Sequence, residues 1–216
     1  MTREDVLKAI RPLRLIFWGG LICVFDITVS STVNGEGFKF DFINDFVGMI
    51  LITVGVFKLG GITVHERYRS AMIFVKIIAV IETFNAFLGH FVFDMHPGLS
   101  VVFSILTLLV LAAVVVFCIA MRWLCQKARL ERSAGSWRTT MILHIVILVI
   151  PVGLFYLAAI IAILTGESFF IDLGPAGLLL LFAFAIPVIH LFISTSRMAG
   201  EAAHMPPADY ETPPGK

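Results

Sequence analysis

From Leu99 to Met121 the chain runs without a single charged residue. A helix needs about 20 mostly apolar residues to cross the hydrocarbon core of a bilayer, and this stretch supplies them. Other stretches qualify as well, which places spans at about 12–33, 42–64, 71–93, 99–121, 139–164 and 174–196. The third is the most polar, broken by Lys76, Glu82, Asn85 and His90. None of these runs alternates as barrel strands do. Composition agrees, with 59% hydrophobic residues, 14% charged residues and a mean hydropathy of +0.97. Soluble domains carry about 25% charged residues. A chain of 216 residues is too short to hide this much apolar surface in one soluble core. The pattern excludes a soluble enzyme, a nucleic-acid binder and a disordered protein. The fold class expected is all-α, an integral membrane bundle of six transmembrane helices in three tandem hairpins, with the lipid bilayer as solvent.

Charge gives the orientation. Arg3, Lys8, Arg11 and Arg14 precede the first span, and Arg67 and Arg69 separate the second from the third. Arg122, Lys127, Arg129, Arg132 and Arg138 fill the link before the fifth, and Arg197 and Lys216 follow the sixth. Those residues share one side of the membrane, whereas Lys39 faces the other, beside Glu36, Asp41, Asp94, Glu167 and Asp172. The positive-inside rule then sets both termini in the cytoplasm. Trp18, Trp123 and Trp137 fall near the basic boundary, as interfacial anchors do. Asp26 and the lack of an A-x-A site favour an uncleaved first span over a signal peptide. Residues 198–216, rich in proline, read as a disordered cytoplasmic tail. Cys23, Cys118 and Cys125 form neither a disulfide framework nor a zinc pattern.

The outward turns resemble one another. They read Phe38-Lys39-Phe40-Asp41, Phe91-Val92-Phe93-Asp94 and Phe169-Phe170-Ile171-Asp172. Asp accepts hydrogen bonds from the free first-turn amides of a helix, and its charge suits the positive helix end. Asp41, Asp94 and Asp172 are therefore expected to cap the inward-running helices. The segment Phe25–Leu59 also resembles the opening hairpin of small multi-pass bacterial membrane proteins. That hairpin has an Asp in span one and a D-x-x-P-D-F-x-G-x-x-L-I-x-x-G-like second span. Asp26, Asp41, Asp45, Phe46, Gly48, Leu51, Ile52 and Gly55 fit it, and Asn44 stands where the proline would be. The resemblance implies a fold type and no activity.

Ionisable residues inside spans cost roughly 2.5–3.5 kcal/mol at the helix centre, so each needs a partner or a purpose. Asp26 lies roughly 18 Å and Glu82 roughly 20 Å from the basic edge, at a rise of about 1.5 Å per residue. Their helix faces carry Gly19, Cys23 and Ser30, and Ala79, Ala86 and Gly89, the small residues of close helix contacts. Asp26 and Glu82, with Asn85, thus outline a buried polar site or ion pathway, or else a structural interhelical hydrogen bond. Lys58 and Lys76 lie roughly 10 Å from the basic edge, within snorkelling range, and either would neutralise an acid if it turned inward. His144 and His190 share a depth of roughly 9–10 Å on neighbouring spans, beside Pro151 and Pro187. They fit either a b-type haem or metal, or hydrogen bonds to carbonyls freed by the prolines. No phosphate loop, HExxH or GxSxG motif is present. Three functions follow. The first is a small proton- or ion-linked transport protein that works alone or as a homo-oligomer. The second is a non-transporting subunit or scaffold bound to a membrane partner. The third is a haem-bearing redox subunit.

Overall fold

The structure is a computed structural model and describes residues 1–24, 28–33, 36–41, 45–91, 97–166 and 176–205. It is helical, with helices α1 (Arg3–Val24), α2 (Asp45–Leu59), α3 (Glu66–Phe91), α4 (Pro97–Lys127), α5 (Glu131–Leu143), α6 (Ile150–Thr165) and α7 (Ala176–Ala203). A π-helical segment, His144–Val149, joins α5 to α6. Four stretches are long and apolar enough to cross a membrane: Glu66–Leu88, Ile105–Lys127, Glu131–Thr165 and Phe182–Ala203.

The first two expected spans differ from these. The run 12–33 is helical only to Val24, and Thr28–Val33 (β1) pairs antiparallel with Glu36–Asp41 (β2), Thr28 opposite Asp41 and Val33 opposite Glu36. Local chemistry explains the switch. Thr28, Val29, Thr32 and Val33 are β-branched, and the residues between the strands are Asn34-Gly35, the pair most favoured in two-residue hairpin loops. Asp41 is therefore the last residue of a strand, and α2 starts only at Asp45, so the expected helix cap at Asp41 is not formed. The caps expected at Asp94 and Asp172 lie outside the described residues.

Helix α2 has 15 residues, about 22 Å of helix against roughly 30 Å of hydrocarbon. It is held by α1, and the contact is made by glycines. A β-carbon on Gly19 would fall 2.5 Å from the Gly48 carbonyl oxygen, and one on Gly48 would fall 2.8 Å from the Gly19 oxygen and 2.6 Å from Cys23 Sγ. About two turns along, a β-carbon on Gly55 would meet Ile16 at 2.6 Å and the Pro12 oxygen at 2.7 Å. Two antiparallel backbones can pass this closely only where side chains are missing.

The helical elements close into a ring. In order, α1 packs on α2, α2 on α3, α3 on α4, α4 on α5, α5 on α7, and α7 back on α1. The closing contact seats Phe17 on Phe192, with ring centroids 4.8 Å apart, and Gly20 beside Val188. Helix α6 stands outside the ring against α4. The cause lies at Pro151, which lacks the N–H needed to bond back along the helix. The preceding Ile150 N–H instead reaches the Ile145 carbonyl five residues back, which is the wider π turn.

The basic end is the tightly packed end. Val6, Ala9, Leu13, Leu59, Leu124, Cys125, Trp137, Met198 and Ala202 are fully buried there. Trp137 is thus a core residue stacked edge-on against Phe117, not the interfacial anchor its position suggested, whereas Trp18 is exposed. Tyr68 donates its hydroxyl to the Leu59 carbonyl at 2.9 Å and closes the end of α2. Thr2 and Asp5 exchange hydrogen bonds across the first turn of α1, and the bonds from the Thr2 amide and hydroxyl hold the Asp5 carboxyl below its usual range. Helix α4 ends in a Schellman turn, where the Leu130 N–H meets the Cys125 carbonyl and the Arg129 N–H meets Gln126, with Arg129 at φ 59°. Helix α7 continues through Ala203, so the expected disordered tail does not begin at 198. Met198 and Ala202 are buried in this core, and residues 206–216 lie outside the described residues.

Replacing Gly48 with valine should lower the stability of the purified protein by about 1–3 kcal/mol, the usual cost of overpacking. Gly135→Ala, on an exposed helical position with no neighbour within 4 Å, should raise it by up to about 1 kcal/mol. Thermal unfolding in detergent reads both, and equal effects would contradict the glycine contact.

Candidate functional site

The ring surrounds a partly open cavity of about 220 Å³. Its walls come from α1, α2, α3, α4, the π segment and α7, with Ile52, Val75, Val114 and Leu148 typical of the lining. Among the described residues that line it, two are ionisable, Glu82 and His144.

Glu82 sits on α3, half-buried, and its Oε2 accepts a hydrogen bond from Asn85 Nδ2 at 3.2 Å. Asn85 follows one turn later on the same helix face, as residues three apart do. Helix α3 is fixed next to α2 by hydroxyls. Thr53 and Thr83 hydroxyls lie 2.8 Å apart, and both reach the Ala79 carbonyl, at 3.1 and 2.7 Å. Glu82 is thereby carried next to a rigid interhelical clasp. Asp26, the other acid expected here, lies outside the described residues.

Neither lysine turns to Glu82. Lys58 is exposed at the end of α2. Lys76 Nζ lies over the Phe57 ring, 5.3 Å from its centroid, and its stem fills the space that a β-carbon on Gly60 would need. An ammonium in that place faces the negative end of α2 and an aromatic face, both favourable to a cation.

The histidines do come together, on Thr140. His144 Nδ1 is 2.8 Å from the Thr140 carbonyl oxygen, and His190 Nδ1 is 2.9 Å from the Thr140 hydroxyl. The Thr140 hydroxyl gives its proton to the Ser136 carbonyl at 3.1 Å, so toward His190 and Ser194 it accepts. The Ser194 hydroxyl lies 2.8 Å from both Thr140 and Ser136. A carbonyl only accepts, and this hydroxyl has spent its proton, so each histidine donates through Nδ1 and, when neutral, keeps Nε2 as an acceptor. Among the described residues no group of three or more His, Cys, Asp or Glu is placed to hold a metal ion. Of the two roles expected for the pair, the structure shows the hydrogen bond to a carbonyl for His144, and one threonine orients both rings.

Sequence reasoning, which weighed charged residues, histidines and Asn85 but no hydroxyls, missed this seam. The buried polar side chains among the described residues are Ser133, Ser136, Thr140, His144, Ser194 and Thr195, all on α5, the π segment and α7. Their spacing carried the signal, since 133, 136, 140 and 144 recur every three or four residues and share one helix face. Glu201 was missed as well. It accepts hydrogen bonds from the Ser133 amide at 2.9 Å, the Ser133 hydroxyl and the Arg132 amide at 3.4 Å. Leu130, at the N-cap position of α5, has no side chain able to do this, so α7 caps α5 from across the interface.

Nitrogen-15 NMR of the histidines should report the Nδ1–H tautomer for both neutral rings. Thr140→Val should release His190 and leave His144 unchanged, because the backbone carbonyl survives the substitution. An Nε2–H tautomer at His144 would contradict the geometry.

Against this fold and site, no protein-family model, curated protein or solved structure gives a match.

Proposed function

We propose that the protein is a multi-pass integral membrane protein of a bacterial inner membrane that conducts or transports protons or other cations. In this reading α1 and α2 join the four longer segments to make six membrane-inserted passes. The basic end and both termini face the cytoplasm, in keeping with the positive-inside rule. Glu82 is the group that takes up and releases the ion, and Asn85 and His144 assist it.

The observation that carries the reading is the cavity, a ring of helices around a largely apolar space whose described lining residues include the carboxyl group of Glu82. An acid facing lipid-depth apolar surroundings costs several kcal/mol when ionised, and a purely structural hydrogen bond can be made by a cheaper amide or hydroxyl. Thr53 and Thr83 already join α2 to α3 without it. The carboxyl is therefore best explained by a charge that comes and goes.

The test is flux into liposomes that hold the purified protein and a pH-sensitive dye, under an imposed potential or pH gradient. Parent protein should acidify the lumen faster than empty liposomes, and Glu82→Gln should fall back to the empty-liposome rate while eluting as folded protein. Lys58→Gln should keep the parent rate. Absence of flux in the parent, or full flux in Glu82→Gln, would overturn the proposal.

A further inference from the structure

We propose that the cavity takes a small lipophilic ammonium ion, which competes with a proton for Glu82. The inference rests on the transport reading and names its substrate class. It follows from the donors, the acceptors and the space available.

Among the described lining residues, the two ionisable groups can each accept a hydrogen bond. Glu82 offers a carboxylate when ionised. His144 has its Nδ1–H committed to the Thr140 carbonyl, so its Nε2 also accepts. Among the described residues no lysine or arginine lines the space, and Lys76, the nearest candidate from α3, is held at Phe57 and Gly60. An anion would meet repulsion and find no positive partner. A neutral apolar molecule would leave His144 Nε2 without a donor and Glu82 with the Asn85 amide alone, which is costly in a buried site. The fitting ligand brings positive charge and N–H donors.

The walls select among cations. A calcium ion needs six to eight oxygen ligands and magnesium a near-ideal octahedron, usually with retained water. Glu82 alone cannot supply such a shell, and aliphatic walls do not replace lost hydration. An organic ammonium carries its own apolar surface into contact with Ile52, Val75, Val114 and Leu148, and Phe117 adds an aromatic ring to the same wall. Size follows from volume. An apolar cavity of about 150 Å³ holds benzene, and this one is about 220 Å³. The space suits one ring with a short aminoalkyl arm.

The exchange balances without any redox step. As the ammonium enters, the O–H bond of the Glu82 carboxyl breaks and the proton passes to water. The carboxylate then pairs with the ammonium N–H. When the ammonium leaves, the carboxylate takes a proton back.

Calorimetric titration of the purified protein in lipid nanodiscs tests this, with benzylammonium as probe, benzyl alcohol as its neutral counterpart and benzoate as the anion. Benzylammonium should bind with release of a proton, and its affinity should rise up to about tenfold per pH unit while Glu82 is protonated at the outset. Benzyl alcohol and benzoate should bind at least about tenfold more weakly, since neither pairs with a buried carboxylate. Glu82→Gln should abolish both the tight binding and its pH dependence. Ala113→Phe, which fills the cavity and leaves Glu82 in place, should block binding too and serves if Glu82→Gln fails to fold. Equal binding of benzyl alcohol and benzylammonium, or benzylammonium binding untouched in the folded variants, would overturn the inference. Proton flux in a protein that does not bind benzylammonium would overturn it while sparing the transport reading. Glu82-dependent binding without any flux would uphold the ligand class and sink the transport reading.

Discussion

The fold depends on the passage of α1 across α2 at Gly19 and Gly48. Taken singly, these helices are poor membrane elements. Helix α1 opens with Arg3, Glu4, Asp5, Lys8, Arg11 and Arg14, and α2 is one short stretch of 15 residues. In a bilayer, apolar faces gain little from meeting one another, because lipid tails are equally apolar, and association comes from close packing and hydrogen bonds. Glycines let the two backbones touch and maximise that packing. Once paired, the short helices span the gap between α3 and α7, and the ring closes through Phe17, Phe192, Gly20 and Val188.

The cavity lies where the packing of the basic end gives way to that of the centre. At the basic end, side chains from all sides interdigitate, and caps borrowed across helices hold the termini, as Glu201 does for α5 and Tyr68 for α2. Toward the centre the π turn before Pro151 widens its helix, and α6 departs from the ring to lie on α4. His144 stands at the first residue of that turn. The same proline that sends α6 out of the ring therefore leaves His144 in the cavity wall, oriented by Thr140. Polar order and open space meet at one level of the molecule.

The sequence made the membrane class plain, because apolar runs and one-sided basic residues are properties of composition along the chain. Glu82 was legible for the same reason, since a carboxylate in an apolar helix stands out against its neighbours. The end of the first span was misjudged because apolarity alone does not distinguish strand from helix. Thr28, Val29, Thr32, Val33 and the Asn34-Gly35 pair held the local signal for a hairpin, and mean hydropathy hides it. Trp137 was read by its position near a boundary, but burial is set by which helix face it shares with Ala134 and Thr140. The Ser136–Thr140–Ser194 seam was invisible to a search for charges, because hydroxyls cost little and announce themselves only by spacing. The convergence of His144 and His190 followed from equal depth, yet their common partner required the register of α5 against α7.

Helix α1 closes the ring against α7, and this closure forms one wall of the Glu82 cavity. Disulfide cross-linking tests it most directly, with Gly20→Cys and Val188→Cys introduced together in protein whose Cys23, Cys118 and Cys125 are replaced by alanine. A β-carbon at Gly20 would lie 3.5 Å from Val188 Cγ1, so the two positions face each other in van der Waals contact. Mild oxidation in native membranes should link the pair within one chain and shift its mobility to that of a closed loop, while Gly20→Cys with Leu154→Cys on the outlying α6 stays reduced. Failure of the first pair to cross-link, or linkage only between chains, would contradict the closed ring.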